Sequence, residues 1–550
     1  MIVRNGVTRS DEQVIQKLKK LMAMNTREKP SFSDAWLLNS GPGEEIESYN
    51  IPNGEVSIRR SLDGQIDYIL KPNEYRLPPD EASLLLRMIR SLHKEAPSLE
   101  HVDRGYMRER SRSSLIQIGV KDMPIDREDA LCEFAVRYTI GYGLLEALIE
   151  DPHIEDVFVD APCYNNRIHV TVNGISGFNS VVRCRSNILL EEVEMEYIVS
   201  RLRRNSGLPF SEAQPILECE MGLQATRATV VGRPLSPAGV SLSLRRHSSQ
   251  PWTLTRMIRN GSLDLDTAAM LSLLVDGRST MLICGPRGAG KSSLLSACLF
   301  EFPLSQRILT LEDTPELPVA AMQSQGYKVQ SMVTDGRNGE SIKDRTKEIL
   351  RLSLRMGESA LIVGEVRGEE VSSLYEGMRT GRAGSAVMGT IHGESATSVY
   401  ERVVHDIGVS PEAFMATDVI MTIALTRPRG SQNTQRSGRE LVETGPSAGE
   451  FRTLSTFSGW EKDLLESRTF KRIASSWSID TSELMVNLIC RRDLKKFLVD
   501  VSDVYKEALS AEWTRRANEH LAACMVSGPL DPSEVLESFK QRFYRRSGIE

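Results

Sequence analysis

Paired cysteines are missing from this chain. The eight cysteines, at 132, 163, 184, 219, 284, 298, 490 and 524, include no CxxC pair. That spacing argues against a structural zinc site and against a disulfide framework, and leaves reduced cysteines in cores. Long apolar runs are missing as well. None approaches the ~18 residues needed to cross a bilayer. The opening stretch MIVRNGVTRSDEQVIQKLKK has no apolar core of the kind a secretion signal needs. A cytoplasmic location is the expectation. Excess positive charge is missing too: 68 Lys and Arg stand against 74 Asp and Glu, a net charge of −6. The chain as a whole has no electrostatic reason to bind nucleic acid, though a local basic groove stays open.

What is present fits a soluble globular protein of several domains. Length alone, 550 residues, suggests three or four. A hydrophobic content of 40% and a charged content of 26% allow sizeable cores. Residues 1 to about 45 combine a short helical pattern with NTREKPSFSDAWLLNSGPGEE, which reads as loosely ordered. From about 50 to 120 a β-like pair, EVSIRR and QIDYIL, precedes an amphipathic helix with Leu84, Leu85, Met88, Ile89 and Leu92 at helical spacing.

Residues from about 126 to 246 read as mixed α/β. DREDALCEFAVRYTIGYGLLEALIEDP predicts one helix, EDVFVDA, RIHVTVNG and GVSLSLRRH predict strands, and Asn173-Gly174 a tight turn. SSQPW, 248–252, reads as a linker. From 253 to about 427 apolar strands alternate with helices, the pattern of a parallel sheet covered on both faces. RPRGSQNTQRSGRELVETGPSAGE, 427–450, is polar, rich in Gly and Ser, and reads as a loop. The remainder reads as mostly helical, with Leu494, Phe497, Leu498, Val501, Val504, Tyr505 and Ala508 on one face.

The strongest motif is STMLICGPRGAGKSSLLSACL. An apolar strand runs into Gly285, Pro286, Arg287, Gly288, Ala289, Gly290, Lys291, Ser292 and Ser293, and an apolar helix pattern follows. This is GxxxxGK[ST] in its strand–loop–helix context. Glycines open backbone conformations that let successive N–H groups face phosphate oxygens. The helix N-terminus adds its positive dipole end. Lys291 is expected to reach the β- and γ-phosphates and the Ser292 hydroxyl to ligate Mg²⁺. An ordinary glycine-rich turn is the competing reading, and the lysine, the serine and both flanking elements weigh against it.

Two more apolar strands end in acids. RILTLEDTPEL ends in Glu312 and Asp313 with Glu316 close behind, and SALIVGEVRGEE ends in Gly364-Glu365. In open α/β sheets ligands bind beyond the carboxyl ends of the strands. Acids there can hold Mg²⁺ through water or orient an attacking water. Singly, each could equally be a solvated turn or a helix cap. VMGTIHGES, 387–395, sets His392 at another strand end, where it could cap the strand, ligate a metal or sense phosphate.

Together these motifs resemble the type II/type IV secretion ATPases, the ring motors of pilus assembly, archaellum and secretion systems. GPRGAGKS looks like that family's phosphate loop, LEDTPEL its aspartate box, LIVGEVRGEE its second acidic motif and TGRAGSAVMGTIHGES its histidine box. LRLSLRMGESALIVGEVRGEEVSSLYEGMRTG and HGESATSVYERVVHDIGVSPEAFMATD look closest to the archaeal branch. DPHIEDVFVDAP through VSLSLRRHSSQPWTLTRMI resembles its small N-terminal domain. The match covers about residues 50 to 427. Two positions depart: Arg382 replaces the first histidine-box histidine, and Gly357-Glu358-Ser359 replaces an Arg-Pro-Asp.

The resemblance implies an α/β architecture: a PAS-like domain over 121–247 and a RecA-like ATPase domain over 248–427. A partly disordered N-terminal extension, 1–120, and a C-terminal loop and helical extension, 428–550, flank them. It implies ATP and Mg²⁺ as cofactors, no zinc, and a homo-hexamer at the cytoplasmic face of a polytopic platform protein. His392 takes a phosphate-side role, and Glu365 the magnesium side with Ser292. Glu312 and Glu316 both stay open as the water-positioning carboxylate. Arg227 and Arg245 match arginines that reach a neighbouring subunit's nucleotide, with Arg246 as the register alternative. Two other readings remain: a nucleic-acid-translocating ring ATPase, against which the acidic balance weighs, and a regulatory P-loop ATPase or kinase.

Overall fold

The computed structural model describes residues 27–548, leaving out 40, 96–102, 121–122, 177, 179–180, 224–225, 247–249, 335–347, 350–351, 353–355, 367, 369, 380–385 and 431–433. The chain divides into two compact units, Met1–Ser249 and Gln250–Glu550. Among the described residues no helix is long and apolar enough to cross a membrane.

The first unit is built on two sheets. Strands β1 (Arg27–Glu28) and β2 (Ala35–Leu38) join β9 (Ile188–Leu190) in a small one. Ala35 and Leu37 are buried, and Lys29 bridges Asp34 and Glu191. Residues 27–38 are therefore ordered, against the expectation from their polar composition, because their partner strand lies some 150 residues downstream.

The large sheet contains β3 (Gly43–Ile51), β4 (Gly54–Ser61), β5 (Ile66–Pro72), β6 (Ile154–Val159), β7 (His169–Val172), β8 (Val182–Ser186), β10 (Ile216–Met221), β11 (Thr226–Val231) and β12 (Ser241–Arg246). Its order is β10-β11-β12-β6-β7-β8-β5-β4-β3. The predicted pair at 55–70 is thus a three-stranded meander on the same sheet as the strands after 154.

Helices α1 (Pro79–Glu95), α2 (Arg104–Ile118), α3 (Ile125–Thr139) and α4 (Glu192–Ser206) complete this unit. The single helix predicted over 126–152 is two, α3 and a short turn at Leu145–Glu150. Gly141 and Gly143 break it. A Cβ at Gly141 would sit 2.6 Å from the Arg137 carbonyl oxygen, and Gly143 has φ +55°. The break lets Glu146 turn back to accept from the Tyr142 N–H at 2.9 Å.

The second unit carries a nine-stranded sheet: β13 (Met281–Gly285), β14 (Arg307–Glu312), β15 (Lys328–Val333), β16 (Ala360–Val366), β17 (Ala386–His392), β18 (Val419–Thr426), β19 (Gln435–Thr444), β20 (Phe451–Thr456) and β21 (Gly459–Trp460). The order is β15-β14-β16-β17-β13-β18-β19-β20-β21, parallel through β18 and antiparallel beyond it. Continuous apolar runs such as MLICG and ALIV are buried because helices cover both faces.

The 427–450 segment, predicted as a loop, contains β19. Its alternation is hidden by register shifts at Thr422/Ile423 and Leu441/Val442. A close-packed glycine adds to this: a Cβ at Gly438 would meet the Met421 methyl carbon at 2.8 Å.

Helices α5 (Leu265–Asp276), α6 (Lys291–Leu299), α7 (Thr481–Val501), α8 (Ala511–Ser527) and α9 (Pro532–Ser547) cover this sheet or pack beside it. Phe470, Ile473, Leu484 and Leu488 share one core with Ala268, Leu271, Met281 and Leu295, so the C-terminal helices are bound into this unit.

A buried polar cluster ties them further. Lys495 Nζ donates to Glu301 at 2.7 Å, just past the end of α6, and the other Glu301 oxygen accepts from Ser272 at 2.6 Å and Asn518 at 3.0 Å. Arg491 bonds Asn487, Ser272 and Asp276 beside it. Burial pulls the Lys495 ammonium below its usual range, and Glu301 opposes that pull.

Removing one partner of a buried pair leaves the other charge uncompensated. Lys495→Met should therefore cost ~3–5 kcal/mol. Urea unfolding followed by circular dichroism measures it, and a loss under ~1 kcal/mol would mean that the pair contributes little beyond packing.

Candidate functional site

β13 lies between β17 and β18, and its parallel register sets Gly285 opposite His392. A Cβ at Gly285 would fall 2.6 Å from the Ile423 carbonyl oxygen, so the neighbouring strand admits only glycine there. The loop then takes two left-handed residues, Gly288 at φ +79° and Gly290 at φ +94°. These conformations are nearly free for glycine and costly for other residues. Pro286 is half-buried, Arg287 exposed and Ala289 buried, while Ser292 and Ser293 are half-buried on the first turn of α6. Lys291 is 8% exposed, and its ammonium donates to the carbonyls of Gly285 and Pro286, both at 3.0 Å.

The acidic strand ends differ in surroundings. On β16 a bulge falls between Val363 and Val366, so that Gly364 and Glu365 oppose Thr390 alone. Such a bulge bends the strand and re-aims a side chain. Thr390 Oγ1 donates to the Gly364 carbonyl at 2.6 Å, and His392 Nε2 lies 2.9 Å from Glu365 Oε1. Gly285, His392 and Glu365 thus lie side by side on three adjacent strands.

Glu312 ends β14 and is buried; its Oε1 accepts from the N–H groups of Glu316 at 2.8 Å and Leu317 at 2.9 Å. Its Cγ would be 3.1 Å from a Cβ at Gly364, which explains the glycine before Glu365. Burial pushes the Glu312 carboxyl up to about 7, outweighing the two N–H donors. Glu316 is exposed, and Asp313 accepts from Thr334 at 2.6 Å.

Arg227 and Arg245 belong to the first unit. They are register partners on β11 and β12, so they share a face of the sheet. Arg227 pairs with Glu218 at 3.4 Å and Arg245 with Asp156 at 3.0 Å. Arg246 turns the other way and donates to the carbonyls of Asp151 at 2.6 Å and Ile154 at 3.2 Å. Burial draws its guanidinium below the usual range. Arg382 lies outside the described residues. Gly357 has φ +91° and Glu358 pairs with Arg278 at 3.0 Å.

Two residues near the loop escaped the sequence reading. Arg436 on β19 donates from Nε to the Gly288 carbonyl at 3.0 Å, and Arg402 reaches the His392 carbonyl at 3.4 Å. No motif marks either. The apolar pair Leu441-Val442, buried on β19, is the signal that could have exposed the first.

The model of the family described as type II/IV secretion system protein matches residues 141–458. The chain belongs to this family. An uncharacterized protein of Methanocaldococcus jannaschii is similar, 27% identical over 350 residues, which is 62% of this chain and 46% of that one. A putative conjugal transfer protein of Mycobacterium tuberculosis is 31% identical over 258 residues, 46% of this chain and 68% of that one. The chain spans about half the length of the first archaeal relatives, 46% and 45%. Among solved structures, the Legionella pneumophila ATPase DotB is similar at 15% identity and a TM-score of 0.40, over 68% of this chain and 93% of that one. The pilus retraction motor PilT with bound ADP is similar at 18% identity and a TM-score of 0.39, over 56% of this chain and 84% of that one.

The Glu312 titration has a readable consequence. Its folded value of about 7 lies above the ordinary 4.5, so the folded state binds the proton more tightly. The stability this contributes is complete below pH ~4.5 and is lost as pH rises through ~7. Glu312→Gln removes that dependence. From pH 5 to 8 the wild-type denaturant midpoint should fall relative to that of Glu312→Gln, and parallel profiles would rule the shift out.

Proposed function

We propose that this secretion-family chain is an ATP-hydrolysing motor that works as a ring hexamer on a membrane platform protein, assembling or secreting a pilus-like filament. The observation that carries the ATPase reading is the glycine loop 285–292 lying beside the His392–Glu365 contact of 2.9 Å. Backbone N–H groups of the loop would cradle the phosphates. Lys291 would leave the Gly285 and Pro286 carbonyls for the β- and γ-phosphates, exchanging neutral acceptors for charged ones.

The Ser292 hydroxyl and the Glu365 carboxylate would hold Mg²⁺. They are hard oxygen donors, of the kind and number this ion takes from protein beside phosphates and water. When bound, the ion neutralises charge on the transferred phosphoryl group. His392 would sense the terminal phosphate from its place beside Glu365. Glu312, able to accept a proton near neutrality, suits water positioning better than exposed Glu316. Arg227 and Arg245, side by side, would supply cations to a neighbouring subunit's nucleotide. The motor would act from the cytoplasm, peripherally on the membrane.

A conjugation-like, nucleic-acid-translocating ring is the second reading, and the mycobacterial relative's name favours it. Stimulation of hydrolysis by single-stranded DNA, with none by anionic phospholipid vesicles, would select it over the platform motor.

Lys291→Ala should abolish hydrolysis and weaken ATP binding, since the lost charge-assisted contact is worth ~1.5–3 kcal/mol before any transition-state effect. Glu365→Gln should bind ATP yet hydrolyse it slowly. Fluorescent-nucleotide titration beside phosphate release checks both. A folded Lys291→Ala protein with normal turnover would refute the site.

The arginines give a separate test, because they would act across a subunit boundary. Mixing Arg227→Ala or Arg245→Ala protein with Lys291→Ala protein should restore part of the lost phosphate release. If mixed rings form and no ratio exceeds the sum of the two parents, the inter-subunit role fails.

A further inference from the structure

The Gly288–Ala289 peptide is flanked by two left-handed residues, Gly288 at φ +79° and Gly290 at φ +94°. Both of its ends are nevertheless held. The Ala289 N–H donates back to the Pro286 carbonyl at 3.3 Å. The Gly288 carbonyl accepts from Arg436 Nε at 3.0 Å, across 148 residues of sequence. Arg436 Cδ also lies 3.7 Å from where a Cβ on Gly290 would sit, so its stem lies against the loop's last turn.

Arg436 stands on the sheet that carries the loop. β19 pairs with β18 through Leu425↔Arg436 and Thr426↔Gln435, and β18 pairs with β13, the strand that delivers the loop. The arginine and the loop are therefore fixed to one sheet, two strands apart.

We propose that Arg436 is a positioning residue for nucleotide binding: it holds the Gly288 carbonyl and so presets the loop before ATP or ADP arrives. The proposal rests on reading 285–292 as a nucleotide loop. The physical reason is preorganisation. A loop with two left-handed glycines has much freedom to lose on binding, and a donor that fixes one of its peptides reduces that loss beforehand. Both nucleotides should benefit alike, because the contact is to the loop and not to the terminal phosphate.

The test is hydrogen exchange of the amides of 287–290 in the full chain without nucleotide, beside ATP and ADP titrations and steady-state kinetics. In Arg436→Ala these amides should exchange several-fold faster. Both nucleotide affinities should fall about tenfold, with KM rising more than kcat falls. Wild-type exchange in a folded variant, or a fall in kcat at unchanged affinity, would overturn the proposal. Should the alanine variant not fold, Arg436→Lys keeps the charge and most of the stem but has no Nε–H at that point. Faster loop exchange in it supports the role and wild-type exchange overturns it. A wild-type protein that bound no nucleotide would sink the ATPase reading and leave the exchange comparison standing, so the two failures are distinguishable.

Discussion

The parallel pairing of β13 with β17 is the constraint on which the site depends. A one-residue slip in this pair would swap every side chain to the opposite face and disturb the packing on both. Both strands are buried nearly throughout, which holds Gly285 opposite His392. Glu365 is carried to the same level by β16, and the bulge at Gly364-Glu365 supplies the turn that brings its carboxylate to the imidazole. A sheet without that irregularity would aim Glu365 elsewhere.

Small residues recur where backbones must approach. Gly285 admits the Ile423 carbonyl and Gly364 admits the Glu312 side chain. Each lies one residue from a turn or a chemistry-bearing group. The glycines bring the strand ends close, and the polar residues beside them use that closeness. At the other end of α6, the helix that starts at Lys291, Glu301 anchors the C-terminal helices through Lys495. The helix that would hold phosphate at one end is thus fixed at the other by a buried ion pair.

The family match ends at residue 458, yet the core does not. Phe470, Ile473 and Leu484 fill space against α5 and β13. Ser467 and Thr469 bond Glu443 on β19 at 2.7 and 3.0 Å, joining the strands beyond the parallel sheet to the helices that follow. The apolar face read over 494–508 announced helices here, but α7 ends at Val501 and Val504 is 80% exposed, so that face is not one helix; nor did the pattern show that these helices would share a core with the glycine loop's strand.

Features that act within a few residues of themselves are legible without the fold. The strand, glycine loop and helix around Lys291 need only local conformation and a short apolar run, so the pattern of 280–300 was enough. The same holds for the acidic strand ends and for α1, whose apolar residues keep helical spacing from Leu84 to Leu92. Tertiary structure decided what depends on distant pairing. Ala35–Leu38 is a strand because β9 lies beside it, and β19 is a strand because β18 accepts it despite a bulge. Glu312 and Glu316, equivalent as letters, separated into a buried and an exposed carboxylate. Arg246 was diverted to backbone carbonyls while Arg227 and Arg245 came to share a face. Arg436 reached Gly288 only through the sheet. Hydrogen bonds between residues far apart in sequence leave no periodic mark, since their spacing is set by the fold and not by the turn of a helix or the pleat of a strand.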